Sequence, residues 1–372
     1  MGKLTFYLKQ LFKMTTQNVI LPLAYRFWSL VMRNEKKEQI VFADAHHDEI
    51  PFSMKRLHEK LEEKGYRLTD VFCDYGRMSA AGSFFAAMKF MKVYAVASHV
   101  FICDNFLSVS SCKKQKDTMV VQLWHGCALK KTGYDAEDDI PPYYAGEVFK
   151  NYDLLPVSAA YAVEPFTHGM HLEKGVAKPL GISRMDYYFD PEWSARCREN
   201  FRKRYPNANG KKVILWAPSF RGNAGHPYQE GEEAMDALEK ELGDSWFLIK
   251  KMHPHVQRQR KEPDFAFTTE ELFPVADLLI TDYSSVMFDF SIQNRPFLLF
   301  APDLSEYRKN RGFYVDYESL CPYIVTDSGQ LADTVRAVVS TDNSGWLREF
   351  RQKYVSACDG HATERIMEYI GL

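Results

Sequence analysis

Short apolar runs rich in Val, Ile, Leu and Phe alternate along the chain with stretches whose apolar residues recur every three or four positions. That is the pattern of parallel strands covered by helices. Ile40-Val41-Phe42-Ala43-Asp44 reads as a first strand, and residues 51–64 as a helix with Phe52, Leu57 and Leu61 turned inward. Residues 66–73, 100–103 and 119–123 continue the series as strands. A second set opens at Lys212, with strands expected at 213–217, 246–250, 278–281 and 297–300. The chain therefore reads as two similar α/β halves.

Asp190-Pro191 and Pro206-Asn207-Ala208-Asn209-Gly210 punctuate a charged helix and place the boundary between the halves at 190–210. The expected division is a helical segment over 1–36, a first domain over 37–198, a second over 199–345, and a C-terminal helix over 346–372 that packs back on the first domain. No internal repeat of solenoid period and no low-complexity tract interrupts this scheme.

The first 34 residues have a different pattern. Leu4, Leu8, Leu11 and Phe12 fall at helical spacing among Lys3, Lys9 and Lys13, and the next segment adds Tyr25, Phe27, Trp28 and Arg33. Basic residues flanking aromatic and aliphatic ones suit the headgroup boundary of a membrane. An ordinary helix packed on the protein, or a dimer contact, has the same periodicity. The longest apolar stretch, residues 19–32, contains Pro22 and Arg26 and is too short and too interrupted to span a bilayer. A continuous apolar core followed by a small-residue cleavage site is missing, which argues against a signal peptide.

Composition sharpens the picture in three respects. A chain of 372 residues with 46% hydrophobic residues exceeds what one core usually fills, in keeping with two domains. The net charge of −2 conceals seven Lys/Arg against two Glu in residues 1–40, so the remainder is acidic and no nucleic-acid partner is indicated. The seven cysteines are scattered and never spaced as metal pairs, which reads as reduced thiols in a cytosolic protein.

The candidate chemistry lies at the ends of expected strands, where ligands bind in open parallel sheets. Asp282-Tyr283-Ser284-Ser285 follows a buried strand and opens a helix, so its hydroxyls and backbone amides could take a diphosphate; a plain helix cap would look the same. His253, in Met252-His253-Pro254, is placed to offset charge on a leaving phosphate, unless it is an ordinary surface histidine. His125, in Trp124-His125-Gly126, is a candidate general base for an alcohol, since imidazole titrates near neutrality. Lys130 and Lys131 form a basic turn that could hold an anionic acceptor or simply face solvent. Asp44-Ala45-His46-His47-Asp48-Glu49 has three readings: an acceptor site through His47, a metal site, or an N-cap by Asp48 for the helix starting at Pro51. No HExxH pattern, partner triad or carboxylate cluster elsewhere completes a metal site, and no cofactor is expected.

Seven motifs occur in order: 124–135 (Trp-His-Gly-Cys-Ala-Leu-Lys-Lys-Thr-Gly-Tyr-Asp), 181–186 (Gly-Ile-Ser-Arg-Met-Asp), 216–221 (Trp-Ala-Pro-Ser-Phe-Arg), 252–254, 281–285, 311–318 and 359–366. Through them the chain resembles the CDP-glycerol glycerophosphotransferase family, enzymes that prime or extend teichoic acid and related polymers in Gram-positive bacteria. The resemblance covers most of residues 40–370. It implies a GT-B-like fold, two Rossmann-like domains facing across a cleft, the first binding acceptor and the second the CDP-linked donor. His125 then matches the base on the acceptor hydroxyl and His253 the residue contacting donor phosphates. Ser284 and Ser285 match the pyrophosphate pair, and Arg221 and Asp282 line the donor site. The loop 265–268, with Thr268, presents backbone groups to cytosine.

The resemblance implies metal-independent transfer of a polyol phosphate from CDP-glycerol or CDP-ribitol to an undecaprenyl-diphosphate-linked saccharide or a growing chain. CMP is released at the cytoplasmic face of the membrane. Oligomerisation is left open. The chain departs from family pattern at Cys127, where threonine is common, and in the loop 44–49. The competing activity is that of a GT-B nucleotide-sugar glycosyltransferase, which releases a nucleoside diphosphate instead.

Overall fold

The computed structural model describes residues 3–35, 37–136, 139–140, 146–222, 226–261 and 265–372, with the side chains of residues 3–6 excepted. The chain forms two compact units. Unit 1 comprises Met1–His125, Thr132–Asp186 and Ala357–Leu372; unit 2 comprises Gly126–Lys131 and Tyr187–Ser356.

Unit 1 is built on β1 (Gln39–Asp44), β2 (Leu68–Phe72), β3 (Ala97–Ile102) and β4 (Met119–Gln122), all parallel in the order β2-β1-β3-β4. Five of the six β1 residues are buried, as expected for a strand covered on both faces. Phe42 of β1 stacks on Phe101 of β3 with ring centroids 4.7 Å apart. A single bridge from Val121 to Leu154 leads to the short parallel pair β5 (Leu155–Pro156) and β6 (Ala177–Lys178). The helix Phe52–Glu63 begins after Pro51 without a side-chain cap. Of the three readings of 44–49, the N-cap by Asp48 is thus corrected: its carboxylate instead accepts the Asp74 N–H at 2.9 Å and tethers the loop after β1 to the loop after β2.

The N-terminal segment is helical over Lys3–Thr15 and Leu21–Val31, joined by a wider turn at Thr16–Ile20. Leu21, Ala24 and Tyr25 are buried, with Tyr25 4.9 Å from Tyr94 of the helix Ala80–Tyr94. The opposite side exposes Tyr7, Leu8, Leu11 and Phe12 on the first helix and Leu23, Phe27 and Leu30 on the second. The Leu4 side chain lies outside the described residues. Among the described residues no helix is long and apolar enough to cross a membrane.

Unit 2 contains β7 (Lys212–Trp216), β8 (Trp246–Lys250), β9 (Leu278–Thr281), β10 (Phe297–Phe300) and β11 (Ile324–Val325), parallel in the order β11-β10-β9-β7-β8. Ile214, Trp216, Leu278, Ile280, Leu298 and Phe300 pack with Met235 and Leu238 of one helix and Val335 and Val338 of another. In both units the second strand flanks the first on one side and the third flanks it on the other. The winding therefore reverses between β1 and β3 in unit 1 and between β7 and β9 in unit 2, and in open α/β sheets ligands bind beyond the carboxyl ends of the strands at such a reversal.

The division differs from the expected one in three places. Gly126–Lys131 belong to unit 2, the chain re-enters unit 2 at Tyr187, and the expected boundary at 198/199 falls inside the helix Pro191–Arg204. That helix buries Trp193 and Phe201 against Tyr188 and Phe247, all of unit 2. The C-terminal stretch is two helices, Ser344–Tyr354 in unit 2 and Ala362–Ile370 in unit 1. Asp186 anchors the last helix by accepting the Ala362 and Thr363 N–H groups at 3.1 and 2.7 Å and the Thr363 hydroxyl at 2.6 Å. Gly181 holds φ +89° beside the Ala357 carbonyl, a position with no room for a Cβ. These contacts give the 181–186 and 359–366 motifs a shared architectural role.

Candidate active site

In unit 1 the chain leaves β4 through Leu123, whose N–H bonds the Ile102 carbonyl, and two residues later presents the exposed ring of His125. His125 Nδ1 lies 3.3 Å from the Cys103 carbonyl oxygen at the end of β3. A carbonyl only accepts, so Nδ1 carries the hydrogen in this contact and Nε2 carries the lone pair. Trp124 stacks on the imidazole at 4.6 Å. Beneath them Arg184, 3% exposed, donates to the carbonyls of Trp124 at 3.3 Å and His125 at 3.1 Å. Sequence reading gave Arg184 only as a motif member. A buried arginine within a motif was the available signal, because such a group needs several acceptors.

At the end of β1, the buried Asp44 carboxylate accepts from the His46 N–H at 3.3 Å and faces His47 Nδ1 at 3.1 Å. This hydrogen bond, helped by the Asp44, Asp104 and Asp74 charges, raises the His47 pKa despite the opposing effect of burial. Among the described residues no group of three His, Cys, Asp or Glu side chains is arranged to hold a metal.

In unit 2 the carboxyl ends of β8 and β9 carry the other candidates. His253 caps the helix Pro254–Arg260, its Nδ1 accepting the His255 N–H at 3.3 Å. With Nδ1 an acceptor, the neutral ring carries its hydrogen on Nε2, the opposite tautomer to His125. Phe220 lies 4.6 Å from the His253 ring, and the His253 N–H donates to Gln229 Oε1 at 3.2 Å. Ser284 Oγ accepts loosely from the Val286 N–H at 3.4 Å, and Ser285 makes no side-chain cap. Instead, Ser285 Oγ meets the Cys127 N–H at 3.5 Å.

That contact belongs to a strap formed by residues 126–131. Leu129 and Lys131 exchange backbone bonds with Tyr314 and Gly312 at 3.0 and 3.2 Å, Lys130 bridges Phe313, and Arg311 Nε donates to the Lys131 carbonyl. Lys130 and Lys131 thus sit in a short antiparallel ladder, not in the expected turn, because glycine and proline are absent from 127–132 and the backbone can pair.

Asp282 and Arg221 face inward. Asp282 Oδ1 accepts the Ser219 and Tyr283 N–H groups at 2.7 and 2.6 Å, and Oδ2 lies 2.9 Å from Arg221 Nη2. Arg221 also grips Asp303 at 2.6 and 3.1 Å and donates through Nη1 to the Ser219 carbonyl and hydroxyl. All five guanidinium N–H groups are thereby engaged within unit 2. The ring of Tyr283 lies 4.6 Å from the guanidinium, and the Tyr283 hydroxyl donates to Asp303. Burial opposes charge on Asp303, but the Arg221 and Tyr283 bonds hold its pKa below the usual carboxylate range. Thr268 forms a capping box with Glu271: its hydroxyl accepts the Glu271 N–H and its own N–H donates to the Glu271 carboxylate at 2.8 Å. Arg221, Asp282 and Thr268 therefore shape the loops, and the 265–268 segment is left with backbone groups to offer. Lys250, the last residue of β8, is paired with Asp236 and Glu239.

Known proteins share this architecture. A family model described as CDP-glycerol:poly(glycerophosphate) glycerophosphotransferase matches residues 24–372. The teichoic acid ribitol-phosphate primase of Bacillus spizizenii is 29% identical over 371 residues, covering 93% of this chain and 94% of that protein. The glycerol-phosphate primase of Bacillus subtilis is 29% identical over 73% of each chain. The poly(ribitol-phosphate) polymerase of Bacillus spizizenii is also 29% identical over 90% of this chain, which spans only 56% of that longer protein. Among solved structures, the wall teichoic acid polymerase TagF superposes with a TM-score of 0.75 at 23% identity, covering 98% of this chain and 96% of that one. A UDP-GlcNAc 2-epimerase from Methanocaldococcus jannaschii superposes at 0.58 and 11% identity over 90% of this chain and 99% of that one. These structural likenesses establish an α/β fold of parallel sheets held in common.

Proposed function

The chain belongs to the CDP-glycerol:poly(glycerophosphate) glycerophosphotransferase family, and from that premise we propose that it transfers a polyol phosphate from a CDP-activated donor to a hydroxyl of a lipid-linked acceptor, releasing CMP, in the synthesis of a teichoic acid-like polymer. Glycerol phosphate is the first candidate and ribitol phosphate the second. The acceptor is an undecaprenyl-diphosphate-linked saccharide or the chain growing on it. Near-complete mutual coverage with a primase supports a primase-like reaction.

One observation carries the reading: two candidate histidines, one in each unit, are held in opposite tautomers. His125 offers the Nε2 lone pair that a general base needs. His253 offers an Nε2–H, which suits a group that neutralises charge building on a phosphate. In the proposed step the acceptor O–H gives its proton to His125 Nε2 and its oxygen attacks the β-phosphorus. The bond from that phosphorus to the bridging oxygen breaks, and CMP leaves with the electron pair. Phosphoryl transfer asks for alignment and charge neutralisation more than for covalent help. Ser284, Ser285 and the His253 Nε2–H serve the pyrophosphate, with Asp282 and Arg221 fixing the turns that carry the serines and Thr268 fixing the loop offered to cytosine. His47, Lys130 and Lys131 serve the anionic acceptor.

The exposed apolar side chains of the two N-terminal helices, with Lys9, Lys13 and Arg26 among them, support attachment to the anionic cytoplasmic surface of a membrane. The decisive test is mass-spectrometric product identification with CDP-glycerol, CDP-ribitol and a lipid-linked disaccharide. Release of CMP with a mass gain of one polyol phosphate is the expected result; turnover only with a nucleotide sugar, yielding UDP or GDP, contradicts it.

A further inference from the structure

Gln229 lies in unit 2, one residue past the bridge that pairs Arg221 with Tyr228, and is 8% exposed. Its Oε1 accepts the His253 backbone N–H at 3.2 Å. A backbone N–H can only donate, so this contact settles which way the amide points; the flipped form would set two donors against each other. The other arm of the same amide, Nε2, is therefore an NH2 group beside His253. It is buried, and no acceptor among the described residues reaches it. Buried donors without acceptors are few in native proteins, because the water they give up has to be replaced.

We propose that Gln229 is a donor-substrate residue, its Nε2–H donating to a phosphoryl oxygen of the CDP-polyol alongside the Nε2–H of His253. This rests on the reading of His253 as a phosphate contact. A pyrophosphate presents only acceptors, so every group that meets it must donate. Two cations of unit 2 are engaged elsewhere: Arg221 commits its five N–H groups to Asp282, Asp303 and Ser219, and Lys250 is paired with Asp236 and Glu239. Neutral donors then carry a larger share of the recognition, and a buried amide is well suited because its orientation is already fixed. The same side chain holds the His253 backbone, so one residue sets both donors.

Two substitutions separate donation from mere support. Gln229→Glu keeps an oxygen for the His253 N–H and replaces the NH2 group with an anionic acceptor; Gln229→Ala removes both. Calorimetric titration of the full chain with CDP-glycerol is expected to show the dissociation constant raised about ten- to a hundredfold in Gln229→Glu. Gln229→Ala is expected to be weakened to a smaller extent, and thermal melts of both should remain close to wild type. Wild-type affinity in Gln229→Glu beside weak binding in Gln229→Ala would mean that the side chain only supports His253, and overturns the inference. Wild-type affinity in both variants overturns it as well. If the unsubstituted protein does not bind CDP-glycerol, the donor reading itself fails, an outcome distinct from the other two.

Discussion

The Arg184 guanidinium donates to the backbone carbonyl of His125 at 3.1 Å from a position almost entirely shielded from solvent. The arginine touches the main chain that carries the imidazole, while the ring itself is held by the Cys103 carbonyl and Trp124. Replacing Arg184 with Lys removes the planar fork that serves two carbonyls at once. Turnover is expected to fall at least tenfold while CDP-glycerol affinity stays within about twofold, and a loss of donor affinity instead would assign Arg184 a different part.

His125→Ala should lower turnover by about two to four orders of magnitude, the usual worth of a positioned base, without weakening CDP-glycerol binding. His253→Ala should weaken both. Parallel calorimetry and CMP-release assays on the two variants give the comparison; a tenfold loss of donor affinity in His125→Ala contradicts the split.

The Arg221–Asp303–Asp282 cluster predicts an acid-sensitive element of stability. Asp303 titrates below the ordinary carboxylate range in the folded protein, so its contribution is complete above the unfolded value of about 4 and disappears as pH falls through the folded value. Asp303→Asn is expected to cost about 2 kcal/mol at pH 7. Denaturant unfolding across pH should show the gap to wild type closing below about pH 4.

The Asp44–His47 pair has the opposite sign. The His47 pKa is raised, chiefly by its bond to Asp44, so the favourable interaction is complete below the unfolded imidazole value of about 6.5 and is lost as pH rises through the higher folded one. Asp44→Asn should move the His47 ring titration downward in an NMR pH series. His47→Gln should raise the acceptor KM at neutral pH and leave the donor KM unchanged.

Membrane attachment is best tested by substitution, because the inner side of the second N-terminal helix buries Leu21 and Tyr25 against the rest of unit 1. Changing Leu8, Leu11, Leu23 and Leu30 together to Gln alters only exposed positions. Co-sedimentation with anionic liposomes is expected to be lost while turnover of a soluble acceptor analogue continues; undiminished sedimentation rules the surface role out.

The long strands were legible because full burial in a parallel sheet demands uninterrupted apolar runs. β1, β4, β8, β9 and β10 fall within a residue of where Ile40, Met119, Trp246, Leu278 and Phe297 place them. β5, β6 and β11, at two residues each, carry no period to detect. The strand-end position of His125 and His253 could be read from neighbouring sequence, but their tautomers depend on Cys103 and His255 backbone groups whose placement only folding supplies. Arg221 illustrates the harder case. Its motif suggests an anion contact, yet Asp303, 82 positions away in sequence, engages the charge first. Likewise nothing local in Lys130-Lys131 announces a partner near Gly312.

The strap at 126–131 has a practical corollary for anyone wishing to dissect the molecule. Neither unit is encoded by one unbroken stretch of codons, since the polypeptide changes membership at 125/126, 131/132, 186/187 and 356/357. A fragment ending at residue 186 leaves the Asp186 carboxylate without the helix it anchors, and one starting at 187 lacks the ladder partner of 312–314. Grafting a donor-recognition half from a relative would therefore succeed only if the hexapeptide after His125 travelled with it.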